Sequence, residues 1–235
     1  MTDQRAERLS SVREKIRVAC AASGRKISDV TLVAASKTKP WAEVEAFARI
    51  GVTVFGENYV QEALEKQAAA KALGMTSLEW HLIGTLQSNK AKFVPGAFSL
   101  FHALDSLSLA QKLDKMAGNA GLVQECLLEV NVDQEESKGG LTEEGIARFL
   151  EQLSSMKNLE VSGLMCIPAP KIGRDPREPF SRLREILGNL NAKGVYRKKL
   201  SLLSMGMSAD FEAAILEGAT HVRVGTVLFG ERVKK

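Results

Sequence analysis

The chain alternates short apolar, β-branched runs with longer segments in which apolar residues recur every three or four positions. The first kind reads as buried strands and the second as amphipathic helices. Leu9, Val12, Ile16 and Ala19 predict a leading helix over 3–23, with Gly24 as its terminator. Residues 31–35, Thr-Leu-Val-Ala-Ala, follow as a strand, and Pro40 suits the first turn of a helix running to Ile50. The same alternation predicts strands at 52–55, 80–83, 99–103, 125–132, 159–165, 200–204 and 221–224. Between and after them it predicts helices over 59–73, 87–93, 107–117, 142–156, Phe180 to Leu190, 208–216 and 225–229. Ser106 and Ser208 stand where helix caps belong.

Eight strands, each followed by a helix, require parallel pairing with helical crossovers, an α/β architecture. Eight units favour a closed (β/α)8 TIM-type barrel, here with an extra N-terminal helix, over an open doubly wound sheet. No linker or shift of composition divides the chain, so residues 1–235 are expected to form one barrel domain.

Composition narrows the function. A chain of 235 residues with 45% hydrophobic and 26% charged residues is ordinary for a globular protein and about as long as such a barrel needs. The net charge of +4 comes from scattered basic residues, which argues against a nucleic-acid surface and weakly favours a small anionic ligand. Cys20, Cys126 and Cys166 lie far apart in apolar surroundings, as buried reduced thiols of a cytoplasmic protein do. His81, His102 and His221 have no metal-ligand spacing, and no metal site is expected. The N-terminus carries charges of both signs without a signal-peptide core, and no window approaches a membrane span. The expectation is a cytoplasmic monomer with no membrane or nucleic-acid partner.

The candidate chemistry lies at strand ends, the edge where barrels place their sites. Lys37, in Ala-Ser-Lys-Thr-Lys-Pro, sits where the first strand hands over to a helix. A lysine partly desolvated at a barrel mouth has its amine freed to attack an aldehyde; a loop lysine snorkelling to water is the plainer alternative. In Leu-Ser-Met-Gly-Met-Ser-Ala-Asp, Ser208 is expected at a helix N-terminus, either as an anion ligand or as a stabilising cap. Arg223 is embedded in the last strand and needs a partner, usually a carboxylate, because an unpaired buried charge is costly. Gly225 and Thr226 open the next helix, so the loops after strands seven and eight form a phosphate cradle. Asn58 follows strand two, able to bond a ring substituent or to cap a helix, and a lone His81 reads as a core residue. An aldehyde-bearing phosphate ester spans a lysine after strand one and a cradle after strands seven and eight, and pyridoxal phosphate is one.

Six runs make the chain recognisable: Ala-Ala-Ser-Lys-Thr-Lys-Pro, Phe-Gly-Glu-Asn-Tyr, His-Leu-Ile-Gly-Thr-Leu-Gln-Ser-Asn-Lys, Gly-Leu-Met-Cys-Ile, Leu-Ser-Met-Gly-Met-Ser-Ala-Asp-Phe and Val-Arg-Val-Gly-Thr-Val-Leu-Phe-Gly. In this order, over nearly the whole chain, it closely resembles the pyridoxal phosphate homeostasis protein family, which is itself similar to the barrel domain of alanine racemase (fold type III). The resemblance implies a protein that binds pyridoxal phosphate as a Schiff base and buffers and delivers it to pyridoxal phosphate-dependent apo-enzymes. It implies Lys37 as the Schiff-base lysine, and Ser208, Gly225 and Thr226 around the phosphate with Met207 from the same turn. It further implies Arg223 facing the pyridine nitrogen and Asn58 near the ring. The chain departs from the family pattern only in loops, including 172–178, which leaves the role of the loop 167–179 open.

Catalysis is not expected. Arginine only donates hydrogen bonds, so opposite the ring nitrogen it leaves that nitrogen neutral and carbanion chemistry weak. Alanine racemase, as that family implies, adds a tyrosine from a second domain and a partner subunit. This chain ends at Lys235, without room for such a domain, and its tyrosines are Tyr59 and Tyr196. Tyr196 precedes a strand and belongs to the wrong face of the barrel, which leaves Tyr59 as the sole candidate second base. The alternatives are an amino-acid racemase, or an aldolase using Lys37 with a sugar phosphate.

Overall fold

Short runs of small and β-branched residues, buried on both faces, cannot stay solvated and pair side by side. In the computed structural model, which describes residues 4–135, 139–169, 173 and 175–231, they form a closed parallel barrel of eight strands in sequence order. The strands are β1 (Thr31–Ala35), β2 (Val54–Glu57), β3 (Glu79–Leu82), β4 (Leu100–Leu104), β5 (Gln124–Glu129), β6 (Leu159–Met165), β7 (Leu202–Met207) and β8 (His221–Val224). The helices are α1 (Gln4–Ala22), α2 (Trp41–Arg49), α3 (Val60–Ala72), α4 (Leu107–Asn119), α5 (Glu143–Leu153), α6 (Glu178–Lys193), α7 (Phe211–Leu216) and α8 (Thr226–Phe229). The barrel closes where the first and last strands meet, with Val33 opposite Arg223 and Ala34 opposite Val224. Between β6 and β7, a Cβ on Gly163 would collide with the Leu202 carbonyl, so this approach requires glycine.

α1 lies across that closure on the outside. Leu9, Val12, Ile16, Ala19 and Cys20 are its buried stripe, as its spacing predicts. Its polar face fastens several elements together. Arg5 pairs with Glu43 of α2 at 2.6 Å and Lys15 with Glu212 of α7 at 2.8 Å. Arg8 donates to the Leu228 carbonyl of α8 at 3.3 Å.

The strand-by-strand alternation is as the sequence predicts, though the strand expected at 52–55 runs Val54–Glu57, and there are three further local differences. The run 125–132 leaves the sheet after Glu129, because the Asn131 side chain bonds the backbone N–H and carbonyl of Glu135 and folds the segment into a turn. The strand placed at 200–204 runs instead from Leu202 to Met207. The Asn191 amide holds both backbone groups of Leu200 at 2.8 Å, out of the ladder. The segment 87–93 is a 3-10 helix, Ser88–Phe93. At the amino-terminal rim the Tyr196 hydroxyl accepts the Val161 N–H at 3.1 Å, which puts this ring at the opposite end from the strand C-termini. Among the described residues no helix is long and apolar enough to cross a membrane.

Candidate cofactor site

Lys37 leaves the barrel two residues past the end of β1, half-buried, in a turn whose next residue, Thr38, has φ +64°. A non-glycine residue in the left-handed region is strained and must be held there. A buried ionic cluster does so. Lys66 of α3 donates to the Ser36 carbonyl at 2.8 Å, to Glu57 Oε1 at 2.6 Å and to Glu62 Oε1 at 2.7 Å. Ser36 Oγ donates to Glu57 at 2.6 Å, and the Thr38 N–H donates to Glu62 at 2.7 Å. Both neighbours of Lys37 are therefore tied to one cluster. Burial pushes the Glu57 carboxyl above the usual carboxylate range, against the opposing hydrogen bonds from Lys66 and Ser36. Sequence reading passed over this cluster, although Glu62 and Lys66 at helical i, i+4 spacing carried a signal.

Across the closure, Ser208 differs from its expected place. It does not open a helix: β7 runs to Met207, and α7 begins at Phe211 with Asp210 in the cap position. The Asp210 carboxylate accepts the Met207 N–H at 2.6 Å and pins a turn between strand and helix. Gly206 precedes it at φ +89°, where an added Cβ would come within 2.9 Å of the Phe211 Cα. The Ser208 hydroxyl turns instead towards the start of α8 and accepts the Gly225 N–H at 3.1 Å. The backbone N–H groups of Gly225 and, at 3.5 Å, Val227 thus gather at a hydroxyl beside the end of β8.

Arg223 is 5% exposed, and its partners are not the expected carboxylate. Nη1 donates to Ser204 Oγ at 2.6 Å and Nη2 to the Cys166 carbonyl at 2.9 Å. Asn58 caps no helix, since Tyr59 holds the cap position of α3. Its Oδ1 is buried without a hydrogen-bond partner among the described residues. His81 is not alone: its ring lies 5.1 Å from His102 and 5.7 Å from His221, so the three histidines of the chain share the barrel interior.

Lys37, Asn58, Met207, Ser208, Arg223, Gly225 and Thr226 line one cavity of about 390 Å³. Of the two tyrosines, Tyr59 is 59% exposed and outside the cavity lining, and Tyr196 is at the far rim. Glu129, at the end of β5, does line the cavity, and the sequence reading missed it. Burial raises its carboxyl above the ordinary range, with Asp105 adding to the rise and Arg223 opposing it. Ile167 reaches the same cavity from the loop 167–179; residues 170–172 and 174 of that loop lie outside the described residues.

The arrangement offers an amine, a set of anion donors and an unsatisfied amide oxygen around a space the size of a small ring compound. The family of the alanine racemase N-terminal domain matches residues 8–233. A pyridoxal phosphate homeostasis protein of Aquifex aeolicus is 46% identical over 228 residues, covering 96% of this chain and 97% of its own. The chain belongs to the pyridoxal phosphate homeostasis protein family. A relative of that name from Pseudomonas aeruginosa is 45% identical over 97% of this chain and 95% of its own. The structure of PipY from Synechococcus elongatus with pyridoxal phosphate bound superposes with a TM-score of 0.81 at 37% identity, covering 96% of this chain and all of that one. Family membership accounts for the barrel with its added N-terminal helix.

Proposed function

We propose that this chain binds pyridoxal phosphate in the β1/β7/β8 cavity, covalently through Lys37, and holds it for other proteins rather than using it in turnover. The observation that carries the reading is the convergence of Lys37 from β1 with the donors at Ser208, Gly225 and Thr226 on one 390 Å³ cavity. Bound pyridoxal phosphate supplies an aldehyde that a lysine amine captures as a Schiff base, and an electron-withdrawing ring. The chain's own groups fit it. The Ser208 hydroxyl and the N–H groups at Gly225 and Thr226 would receive the phosphate oxygens. Arg223, with donors only, would meet the pyridine nitrogen without protonating it. Asn58 would spend its unpartnered oxygen on the ligand.

The carrier reading draws on the same residues. Arg223 opposes build-up of a positive ring nitrogen, and neither tyrosine reaches the cavity. One observation favours the other reading, a racemase-like activity: Glu129 is a carboxyl group in the cavity with a raised proton affinity. Delivery to pyridoxal phosphate-dependent apo-enzymes, a monomeric state and a cytoplasmic location complete the proposal. Three buried cysteines outside any disulfide suit that compartment.

The test is a visible spectrum of the purified protein with pyridoxal phosphate, before and after borohydride, followed by peptide mapping. The reading expects visible absorbance that borohydride bleaches, with the reduced adduct on Lys37. An adduct on another lysine, or none, overturns it.

A further inference from the structure

A barrel interior is normally filled by layers of branched apolar side chains. Here one layer below the cavity is polar: His81, His102, His221 and Ser204 are all at most 9% exposed, beneath Arg223. Buried polar groups are tolerated only when hydrogen-bonded; His221 Nδ1 lies 2.9 Å from Thr220 Oγ1, and the others form a continuous chain with Arg223. Arg223 Nη1 lies 2.6 Å from Ser204 Oγ. Ser204 Oγ lies 2.8 Å from His102 Nδ1, and His102 Nε2 lies 3.0 Å from His81 Nδ1.

The direction of every bond in the chain follows from its first member. Arginine has donors and no acceptor, so Ser204 Oγ accepts from it. Among the described residues Ser204 Oγ has no partner besides Arg223 and His102, so its single hydroxyl proton goes to His102 Nδ1. With Nδ1 accepting, the neutral His102 ring carries its proton on Nε2 and donates it to His81 Nδ1. His81 in turn keeps its proton on Nε2, the atom that faces the exposed Glu79 carboxylate at 3.9 Å. A doubly protonated His102 would point a second donor at Ser204, next to a cation. Burial, and the neighbouring charges of Arg223 and the other rings, disfavour it as well: His81 is pushed down to about 3, His221 to about 4, and His102 also lies well below the ordinary range. The charged groups around the chain are Arg223 and Glu79, with Glu129 and Asp210 beyond the guanidinium.

We propose that Ser204, His102 and His81 are positioning residues that act through Arg223: a one-way, uncharged hydrogen-bond chain fixes one edge of the guanidinium and leaves its other donors aimed at the cavity. The Cys166 carbonyl, accepting from Nη2 at 2.9 Å, is the second stop on that edge. The inference rests on the reading of Arg223 as the group that meets the pyridine nitrogen, and its test separates the two.

Two measurements decide it. In the ligand-free protein, nitrogen NMR of labelled histidine reads protonation and tautomer directly, and the chain has only three imidazoles to assign. The expected result is His102 and His81 neutral with the proton on Nε2 throughout the neutral pH range. An imidazolium, or a His102 with its proton on Nδ1, overturns the proposal whether or not any ligand binds. The second is pyridoxal phosphate titration. Ser204→Ala and His102→Leu should each weaken binding about tenfold and shift the absorbance maximum of the bound ligand. His102→Asn, whose Oδ1 replaces the Nδ1 acceptor, should stay near the parent in both. A purely structural role would lower melting temperature without moving the absorbance maximum, and would give no rescue by asparagine. Parent affinity and spectrum in Ser204→Ala and His102→Leu overturn the proposal. Should His102→Leu fail to fold, Ser204→Ala alone decides. If the parent itself takes up no pyridoxal phosphate, it is the proposed function that fails, and the tautomers still judge the chain.

Discussion

Lys66→Met removes the cation that holds the residues on both sides of Lys37. Lys66 is 5% exposed at its side chain and Glu57 0%. Its ammonium makes three hydrogen bonds, to Ser36 O, Glu57 and Glu62. Removing one partner of a buried ion pair costs about 3–5 kcal/mol, because the other charge is stranded. That is a large part of the roughly 5–15 kcal/mol by which a domain is stable. The loss should depend on pH in a definite sense. Burial already raises the Glu57 carboxyl above the ordinary range, with Lys66 opposing the rise. The folded protein therefore holds that proton to higher pH than the unfolded chain, and stability falls as pH rises through the interval between the two values. Without Lys66 the folded value climbs further and the interval widens. The penalty is full near neutral pH and shrinks on acidification, as Glu57 becomes neutral in both states. Urea unfolding near pH 7 and near pH 5 measures it. Glu57→Gln combined with Lys66→Met should recover part of the loss near pH 7, since no charge is left stranded. An equal penalty at both pH values, together with a double variant no more stable than Lys66→Met, would refute the reasoning. Pyridoxal phosphate binding should weaken too, because Ser36 and Thr38 lose their anchor.

Four further outcomes are expected. Lys37→Ala should abolish the visible absorbance of bound pyridoxal phosphate while urea unfolding stays cooperative, since the half-buried side chain fills no core volume. Ser208→Ala and Thr226→Val should each weaken affinity by about 1.5–3 kcal/mol, the worth of a hydrogen bond to a charged group; equilibrium titration checks this, and unchanged constants for both would place the phosphate elsewhere. Glu129→Gln should stabilise the ligand-free protein at neutral pH: the raised carboxyl loses stability as pH rises above the ordinary carboxylate range, the amide does not, and the gain should vanish in acid. Chiral chromatography after long incubation with L-alanine should show no racemisation beyond that of free pyridoxal phosphate; saturable turnover that Glu129→Gln abolishes would make Glu129 a catalytic base.

The strands and several of the cavity-lining residues were legible because both depend on local pattern. Runs such as 31–35 and 221–224 are short, apolar and bounded by turn residues, and strand ends in an α/β fold share one rim. Lys37 and Gly225 could thus be placed on that rim without knowing any contact. What depends on side chains meeting across the sequence was not legible. The Ser208 hydroxyl turns away from its own helix because Asp210 takes over the turn, a choice made by one 2.6 Å bond. The partners of Arg223 are a hydroxyl 19 residues away and a carbonyl 57 residues away, and no spacing rule points to either. His81 and His102, 21 positions apart, become neighbours only when β3 and β4 lie side by side.

The seam between β1 and β8 joins the two ends of the chain, and the cavity straddles it. Thr31 pairs with His221 and Ala34 with Val224, so forming this edge closes a loop of nearly the whole polypeptide. Such long-range pairing forms slowly and late in folding. Lys37 therefore meets Gly225 and Thr226 only after the last strand has docked, and a nascent chain has no site until β8 has been made. A ligand that bridges the two sides acts as a clasp on the barrel, stabilising the closed form by mass action. α1, gripping α7 and α8 from outside through Lys15 and Arg8, is the protein's own buckle over the same joint. Hydrogen exchange at the β1 and β8 amides would then report occupancy of the cavity more directly than exchange anywhere on the opposite wall.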